Sequence, residues 1–380
     1  MDFAWSAAQS ALNKKIAEFA QNELGHDLAA RDRGQIFDGD GWLRCGEIGL
    51  TGLCAPSQYG GAGGDALDML AALEGLGYGS RDNGLNFSIG AHLWGCVTPL
   101  NLFGNVKQKE YYLPHLCSGK WIGALAATEL DAGSDIYNIK TSAVLSNDGY
   151  VLNGHKVMIT NAPRAQVFIV LARLEGKPQN QDLCAFLIEK DSPGLQVGPS
   201  VEKMGLRTAM MGEITLQNCL VPSENLLGEA GNGMVIFLQA MEWERGLILA
   251  PALGTMQRQL ETCQVRVRER KQFGQAIGQF QRVADRIVEM HMLLESSRSF
   301  IRKFAWLKSK KRTAQLEASM AKLHTSEAWI QVSQAALQIH GGMGYLSENE
   351  IERDLRDALG SRIYSGTSEI QRDIIARWLV

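Results

Sequence analysis

The sequence predicts a mainly α protein with one β domain set between two helical domains. Three segments of different texture along its 380 residues carry that expectation. Over 1–120, apolar-periodic stretches are separated by glycine-rich turns such as Tyr59-Gly60-Gly61-Ala62-Gly63-Gly64, the pattern of packed helices. Over 121–228 the apolar residues gather into short β-branched runs. Over 229–380, beyond Gly233, the helical period returns.

Strands in the middle segment are expected at Val167-Phe168-Ile169-Val170-Leu171, Cys184-Ala185-Phe186-Leu187-Ile188 and Glu213-Ile214-Thr215-Leu216. Asn147-Asp148-Gly149, Asn153-Gly154 and Asp191-Ser192-Pro193-Gly194 read as the turns that punctuate them. In the last segment Val283, Ile287, Met290, Leu294, Ile301 and Phe304 share one helical face, interrupted by Ser297. Lys308-Ser309-Lys310-Lys311-Arg312 puts four positive charges into an expected helix–helix loop. That run reads either as a solvated loop or as a docking patch for an acidic partner.

Composition excludes several classes. With 45% hydrophobic and 21% charged residues the chain can bury a large core. No apolar run approaches the ~20 residues of a membrane span. The start, Met1-Asp2-Phe3-Ala4-Trp5, lacks the basic-then-apolar order of a signal peptide, so a cytoplasmic protein is expected. Seven cysteines form no CxxC pair and seven histidines are scattered, which argues against a disulfide scaffold and a metal site. A net charge of −3 argues against nucleic acid as a partner. Gly61-Ala62-Gly63-Gly64-Asp65-Ala66 fits a loose G-x-G-x-x-A pattern. The preceding Cys54-Ala55-Pro56-Ser57-Gln58-Tyr59 makes a poor buried strand, so a dinucleotide-binding turn is rejected.

Six motifs carry chemistry: Thr128-Glu129-Leu130-Asp131-Ala132-Gly133-Ser134-Asp135, Gly154-His155-Lys156-Val157-Met158-Ile159-Thr160-Asn161, Met241-Glu242-Trp243-Glu244-Arg245-Gly246, Arg268-Glu269-Arg270-Lys271-Gln272-Phe273-Gly274 followed by Gln281, Gln338-Ile339-His340-Gly341-Gly342, and Arg362 through Arg372 around Tyr364-Ser365-Gly366-Thr367. Taken singly each has a plain alternative. Glu244 can be a solvated helix residue beside Arg245, Arg270 a surface charge, the glycine pair a helix cap and Thr160 an ordinary strand residue.

Together, in this order and spacing, the motifs resemble those of the acyl-CoA dehydrogenases. The resemblance implies a helical N-terminal domain, a β-barrel-like middle domain and a C-terminal four-helix bundle, with FAD as cofactor and no metal. It assigns Ala127, Thr128, Gly133, Ser134, Met158 and Thr160 to the flavin side of the cofactor, with Met158 in place of a customary tryptophan. Arg270 would reach the FAD pyrophosphate of a neighbouring subunit, to which a guanidinium is suited, and Phe273 and Gln281 match cofactor-binding positions of the same motif. Gln338, Gly341 and Gly342 would close over its adenine half, and Thr367 and Glu369 would also contact cofactor.

The family's frequent base position is occupied by Ser365, which cannot serve as a base at neutral pH. Glu244 matches the alternative base of the isovaleryl-type and long-chain branches, 121 residues earlier (365 − 244). Tyr364, Ser365 and Gly366 would line the substrate pocket, Arg245 would orient the helix or loop, and Glu242 is the weaker alternative base. Burial against flavin and thioester should raise the Glu244 pKa.

M-x-W-E-R, Y-S-G-T-S and Gly90-Ala91-His92 are similar to the prolyl-carrier-protein dehydrogenases and oxidases of pyrrole and alkaloid (anatoxin-a-type) biosynthesis. That similarity implies α,β-dehydrogenation of a prolyl thioester carried on the phosphopantetheine of an acyl or peptidyl carrier protein. It also implies a homotetramer built as a dimer of dimers, and oxygen or electron-transfer flavoprotein as acceptor. A short branched-chain acyl-CoA dehydrogenase and a base-less binding subunit are the alternatives.

Overall fold

The computed structural model of the protein describes residues 4–179 and 181–380; the first three residues of the Met1–Trp5 start lie outside them. Seven helices come first: α1 (Ala7–Glu23), α2 (Leu28–Gly34), α3 (Gly39–Glu47), α4 (Ala66–Gly79), α5 (Asn83–His92), α6 (Thr98–Phe103) and α7 (Val106–Cys117). Local chemistry sets their starts. Ser6 and Gln9 form a reciprocal capping box on α1, and Asp65 accepts from the Leu67 and Asp68 amides at the start of α4. The glycine run before α4 is therefore a turn into a cap, with no strand ahead of it. A π-helical turn, Leu93–Val97, joins α5 to α6.

The middle segment folds as one sheet of β1 (Gly123–Ala126), β2 (Ser142–Ser146), β3 (Gly149–Thr160), β4 (Val167–Leu174), β5 (Leu183–Glu189), β6 (Leu195–Val197), β7 (Met211–Val221) and β8 (Leu226–Leu227). The strand order is β6-β7-β3-β2-β4-β5-β8, with β1 alongside β4. Val167, Ile169 and Leu171 of β4 pack toward the helices, and Phe168, Val170 and Ala172 into a second core on the other face. A strand buried on both faces reads as a continuous apolar run, which is why the sequence marks it clearly.

One expected turn is absent. Asn153-Gly154 lies inside β3, at a bulge where the pairing with β7 shifts between Leu152 and Gly154. The Asn153 side chain accepts from the Asn218 amide at 2.8 Å. A Cβ on Gly154 would come within 2.3 Å of Thr141 Oγ1, so glycine serves a close approach here rather than a reversal.

Helices resume with α8 (Gly233–Leu247) and α9 (Ala250–Glu269). A short hairpin follows, β9 (Lys271–Gln272) with β10 (Gln275–Ala276). The remaining helices are α10 (Gln281–Ser309), α11 (Gln315–His340), α12 (Gly342–Tyr345), α13 (Ile351–Gly360) and α14 (Ser368–Leu379). Helices α8 to α11 pack on one another as a bundle, and their core is continuous with that of α1, α4 and α5. The α10 stripe is buried at Met290, Leu294, Ile301 and Phe304. Ser297, also buried, donates to the Leu293 carbonyl at 2.7 Å, so its hydroxyl is satisfied within the helix.

The basic run needs correction. Lys308 belongs to α10 and turns inward to Glu242 at 3.0 Å, leaving Lys310, Lys311 and Arg312 as the exposed charges of the loop. Among the described residues no helix is long and apolar enough to cross a membrane, no cluster could hold a metal ion, and all seven cysteines are free.

Candidate active site

Two sequence-distant positions meet at the C-terminal end of α8. Ser365, in the loop between α13 and α14, donates its hydroxyl to Glu244 Oε1 at 2.5 Å. Glu244 and Glu242 point to different sides of α8, as residues two apart on a helix must. The Glu242 carboxylate is buried and accepts from Lys308 Nζ and from the Ala314 amide at 2.7 Å. It fastens the α10–α11 corner and is not available as a base. Trp243 stacks parallel on the buried Trp94 (6.1 Å between centroids, 9°) and lies under Lys308 at 4.8 Å, which fixes the helix on either side of Glu244.

The loop that presents Ser365 is held in an uncommon shape. Ser365 (φ 58°) and Gly366 (φ 87°) are both left-handed, and a non-glycine residue there needs outside support. The Ser365 carbonyl accepts from Arg245 Nε and Gln371 Nε2, each at 3.3 Å. The Gly366 carbonyl accepts from Gln371 Nε2 at 2.9 Å and Lys322 Nζ at 2.7 Å. Tyr364 packs on Phe87 of α5 at 4.4 Å. Burial raises the Glu244 pKa, while the Ser365 hydroxyl and the Arg245 and Lys322 charges oppose the rise.

Sequence reading missed Lys322, Gln371, Phe87 and Trp94. The one available signal was Lys322 itself, a lysine on the buried α11 stripe of Ala318, Thr325 and Trp329.

The 128–135 loop and β3 form a second cluster. Lys156, fully buried, donates to Glu129 Oε1 at 2.9 Å and to the Ala127 carbonyl at 3.1 Å. Glu129 also accepts from the Lys140 amide and from the Thr141 amide and hydroxyl. Burial raises its pKa, but these donors together hold it at about 2. Val157 N donates to the Thr128 carbonyl at 3.0 Å, pinning loop to strand. Met158 sits in a second β3 bulge with φ 55°, its side chain 56% exposed, and Thr160 follows half-buried.

His92 is a buried structural group. Its Nδ1 accepts from the Gly123 amide at 2.9 Å, so Nε2 carries the proton toward the Thr51 carbonyl at 3.1 Å, and burial lowers its pKa to about 4.

The remaining candidates lie elsewhere on the chain. Arg270 follows α9, Phe273 is 94% exposed at the tip of the β9–β10 hairpin, and Gln281 begins α10. Gln338 is exposed near the end of α11, ahead of Gly341 and Gly342. Thr367 caps α14 by accepting from the Ile370 amide, and Glu369 is exposed beside Arg372. A large cofactor needs open backbone, and Gly133, Gly341 and Gly342 have nothing within 4 Å of an added Cβ. Arg270 is exposed, and among the described residues no ion pair engages its guanidinium. These residues fit FAD as two half-sites, one at 127–160 and one at 270–342.

Three family models together describe most of the chain. The acyl-CoA dehydrogenase N-terminal domain matches residues 6–120, the middle domain 124–219 and the C-terminal domain 231–380. An L-prolyl-[peptidyl-carrier protein] dehydrogenase of Serratia sp. (strain ATCC 39006) is 40% identical, over 100% of this chain and 98% of its own. The crystal structure of the prolyl acyl carrier protein oxidase AnaB is 50% identical at a TM-score of 0.97, covering 99% of this chain and 100% of that one. The structure of PigA with FAD and proline is 40% identical, also at 0.97, covering 100% and 99%. The chain therefore belongs to the acyl-CoA dehydrogenase family and is a flavin-dependent oxidoreductase.

Proposed function

We propose that the protein uses FAD to oxidise a prolyl group, held as a thioester on a carrier protein, between Cα and Cβ, with Glu244 as the Cα base. The observation that carries this reading is the contact of Ser365 with Glu244. It brings the vacant base position and the alternative carboxylate to one site. The similarity to relatives named for prolyl carrier proteins supports the substrate class. FAD, when bound, supplies the acceptor for the hydride from Cβ.

The chain's own residues do the rest. Ionised Glu244 takes the Cα proton, helped by a pKa that burial raises toward working pH. Ser365 holds the carboxylate in one orientation, and Arg245 keeps the loop against α8 through the Ser365 carbonyl. Loss of the Cα proton and the Cβ hydride leaves a Cα=Cβ enamine thioester, which tautomerises by protonation at Cβ to the 1-pyrroline-2-carboxyl thioester; the 1-pyrroline-5-carboxyl isomer follows by a further proton shift from Cδ to Cα. Thr128, Gly133, Ser134, Met158 and Thr160 would hold the flavin end. Arg270, Phe273, Gln281, Gln338, Gly341 and Gly342 would hold the rest from a neighbouring subunit. The reading includes a cytoplasmic dimer of dimers, with oxygen or electron-transfer flavoprotein as acceptor.

Glu244→Gln tests it. The variant should keep FAD and lose ~10²–10⁴ in turnover, since the amide preserves shape but cannot accept the proton. At least half of wild-type turnover would end the base assignment. Flavin bleaching by prolyl-carrier protein and not by isovaleryl-CoA is expected; the reverse would replace the substrate.

A further inference from the structure

We propose that Lys322 is a positioning residue for Glu244: from inside α11 it pins the Ser365-Gly366 turn and supplies the positive potential that keeps the carboxylate ionised. The inference rests on Glu244 being the base.

Lys322 is fully buried, and its ammonium donates to the Gly366 carbonyl at 2.7 Å. Among the described residues it has no carboxylate within ion-pair distance. Burying an ammonium this way is costly unless its charge or its bond is used. The charged groups facing it are Arg245 and Glu244 on α8, Glu327 on its own helix and Glu369 at the start of α14, with Tyr364 beside Glu244. Glu327 is already engaged by Arg362 and by Ser368. Glu369 is exposed. Glu244 is the carboxylate left inside the site for the field of Lys322 to act on.

The bond serves the same end. Gly366 follows Ser365 in a run of two left-handed residues, and fixing the Gly366 carbonyl helps aim the Ser365 hydroxyl at Glu244. Burial lowers the Lys322 pKa to about 8, which leaves the ammonium charged at neutral pH.

The test is the pH profile of kcat/KM for flavin reduction by prolyl-carrier protein, with FAD content and Tm measured on the same samples. In Lys322→Met the Gly366 carbonyl keeps the Gln371 bond and the buried charge is gone, so FAD and Tm should hold. Removing a nearby cation disfavours the carboxylate, so the acid limb should move up by about one pH unit, with activity on that limb falling about tenfold. Lys322→Arg should bring the limb back toward wild type. Lys322→Gln, a donor without charge, should shift the limb as Met does, and it serves if the Met variant does not fold. An acid limb that stays in place in the uncharged variants overturns the proposal. So does a loss of activity that only follows a lower Tm. A fully active Glu244→Gln would instead remove the base on which the proposal stands, and is read separately from the Lys322 profiles.

Discussion

Ser365 cannot take a proton at neutral pH, but its hydroxyl reaches Glu244 at 2.5 Å and favours the ionised carboxylate. Ser365→Ala should therefore raise the Glu244 pKa further. Because the base works deprotonated, the acid limb of kcat/KM should move to higher pH, by about one to two units for the loss of one charge-assisted bond. Activity on the alkaline plateau should fall much less than in Glu244→Gln. A limb that stays in place or moves down would deny Ser365 this part. Glu242 predicts the opposite pattern. Glu242→Ala leaves the partly buried Lys308 without its carboxylate and the Ala314 amide without its acceptor, which should cost about 3 kcal/mol of stability by denaturant midpoint, while turnover per folded molecule survives. The motif around 241–246 made Glu244 legible as a candidate, and only long-range contacts separate it from Glu242. Lys322 shows in the sequence only as a lysine on the otherwise uncharged buried stripe of α11, and nothing local points to the carbonyl that it meets 44 residues later.

Elements were legible where one face, or both, had to be apolar. The β4 and β5 runs and the α10 stripe needed only periodicity. Bulges and tight crossings depend on the partner element, so Asn153-Gly154 looked like a turn until its pairing with β7 was seen. The crossing of α4 and α9 is another such case. A Cβ on Gly77 would lie 1.8 Å from the Pro251 carbonyl oxygen, and one on Gly254 2.2 Å from the Glu74 carbonyl oxygen. These glycines let two backbones touch below the helix that carries Asn83 and Phe87. Gly77→Ala should force the helices apart and destabilise the protein by about 3 kcal/mol or more, read as a lowered thermal midpoint. A midpoint within a degree of wild type would mean the crossing adjusts freely.

At the scale of the molecule, the order helical, β, helical was legible because each segment has its own period, whereas any route by which one chain completes another would leave no mark on periodicity. The two proposed FAD half-sites make that route testable. One is built on the sheet, where Lys156 and Glu129 lock the 128–135 loop against β3. The other is built at the far end of α9, where the β9–β10 hairpin carries Phe273 into solvent and Arg270 is exposed. If each half binds the same FAD from different subunits, retention requires assembly. Wild type should then elute as an oligomer by light scattering, with flavin bound in proportion to chain. Arg270→Ala removes a guanidinium suited to two charge-assisted bonds with a pyrophosphate, about 1.5–3 kcal/mol each. The variant should remain soluble yet lose FAD on gel filtration, its affinity weakened at least ~10-fold. Added FAD should restore activity at high concentration, because Glu244 and Ser365 lie on other elements. A monomeric wild type that keeps a full complement of FAD would contradict the shared site, and would require one chain to supply both halves.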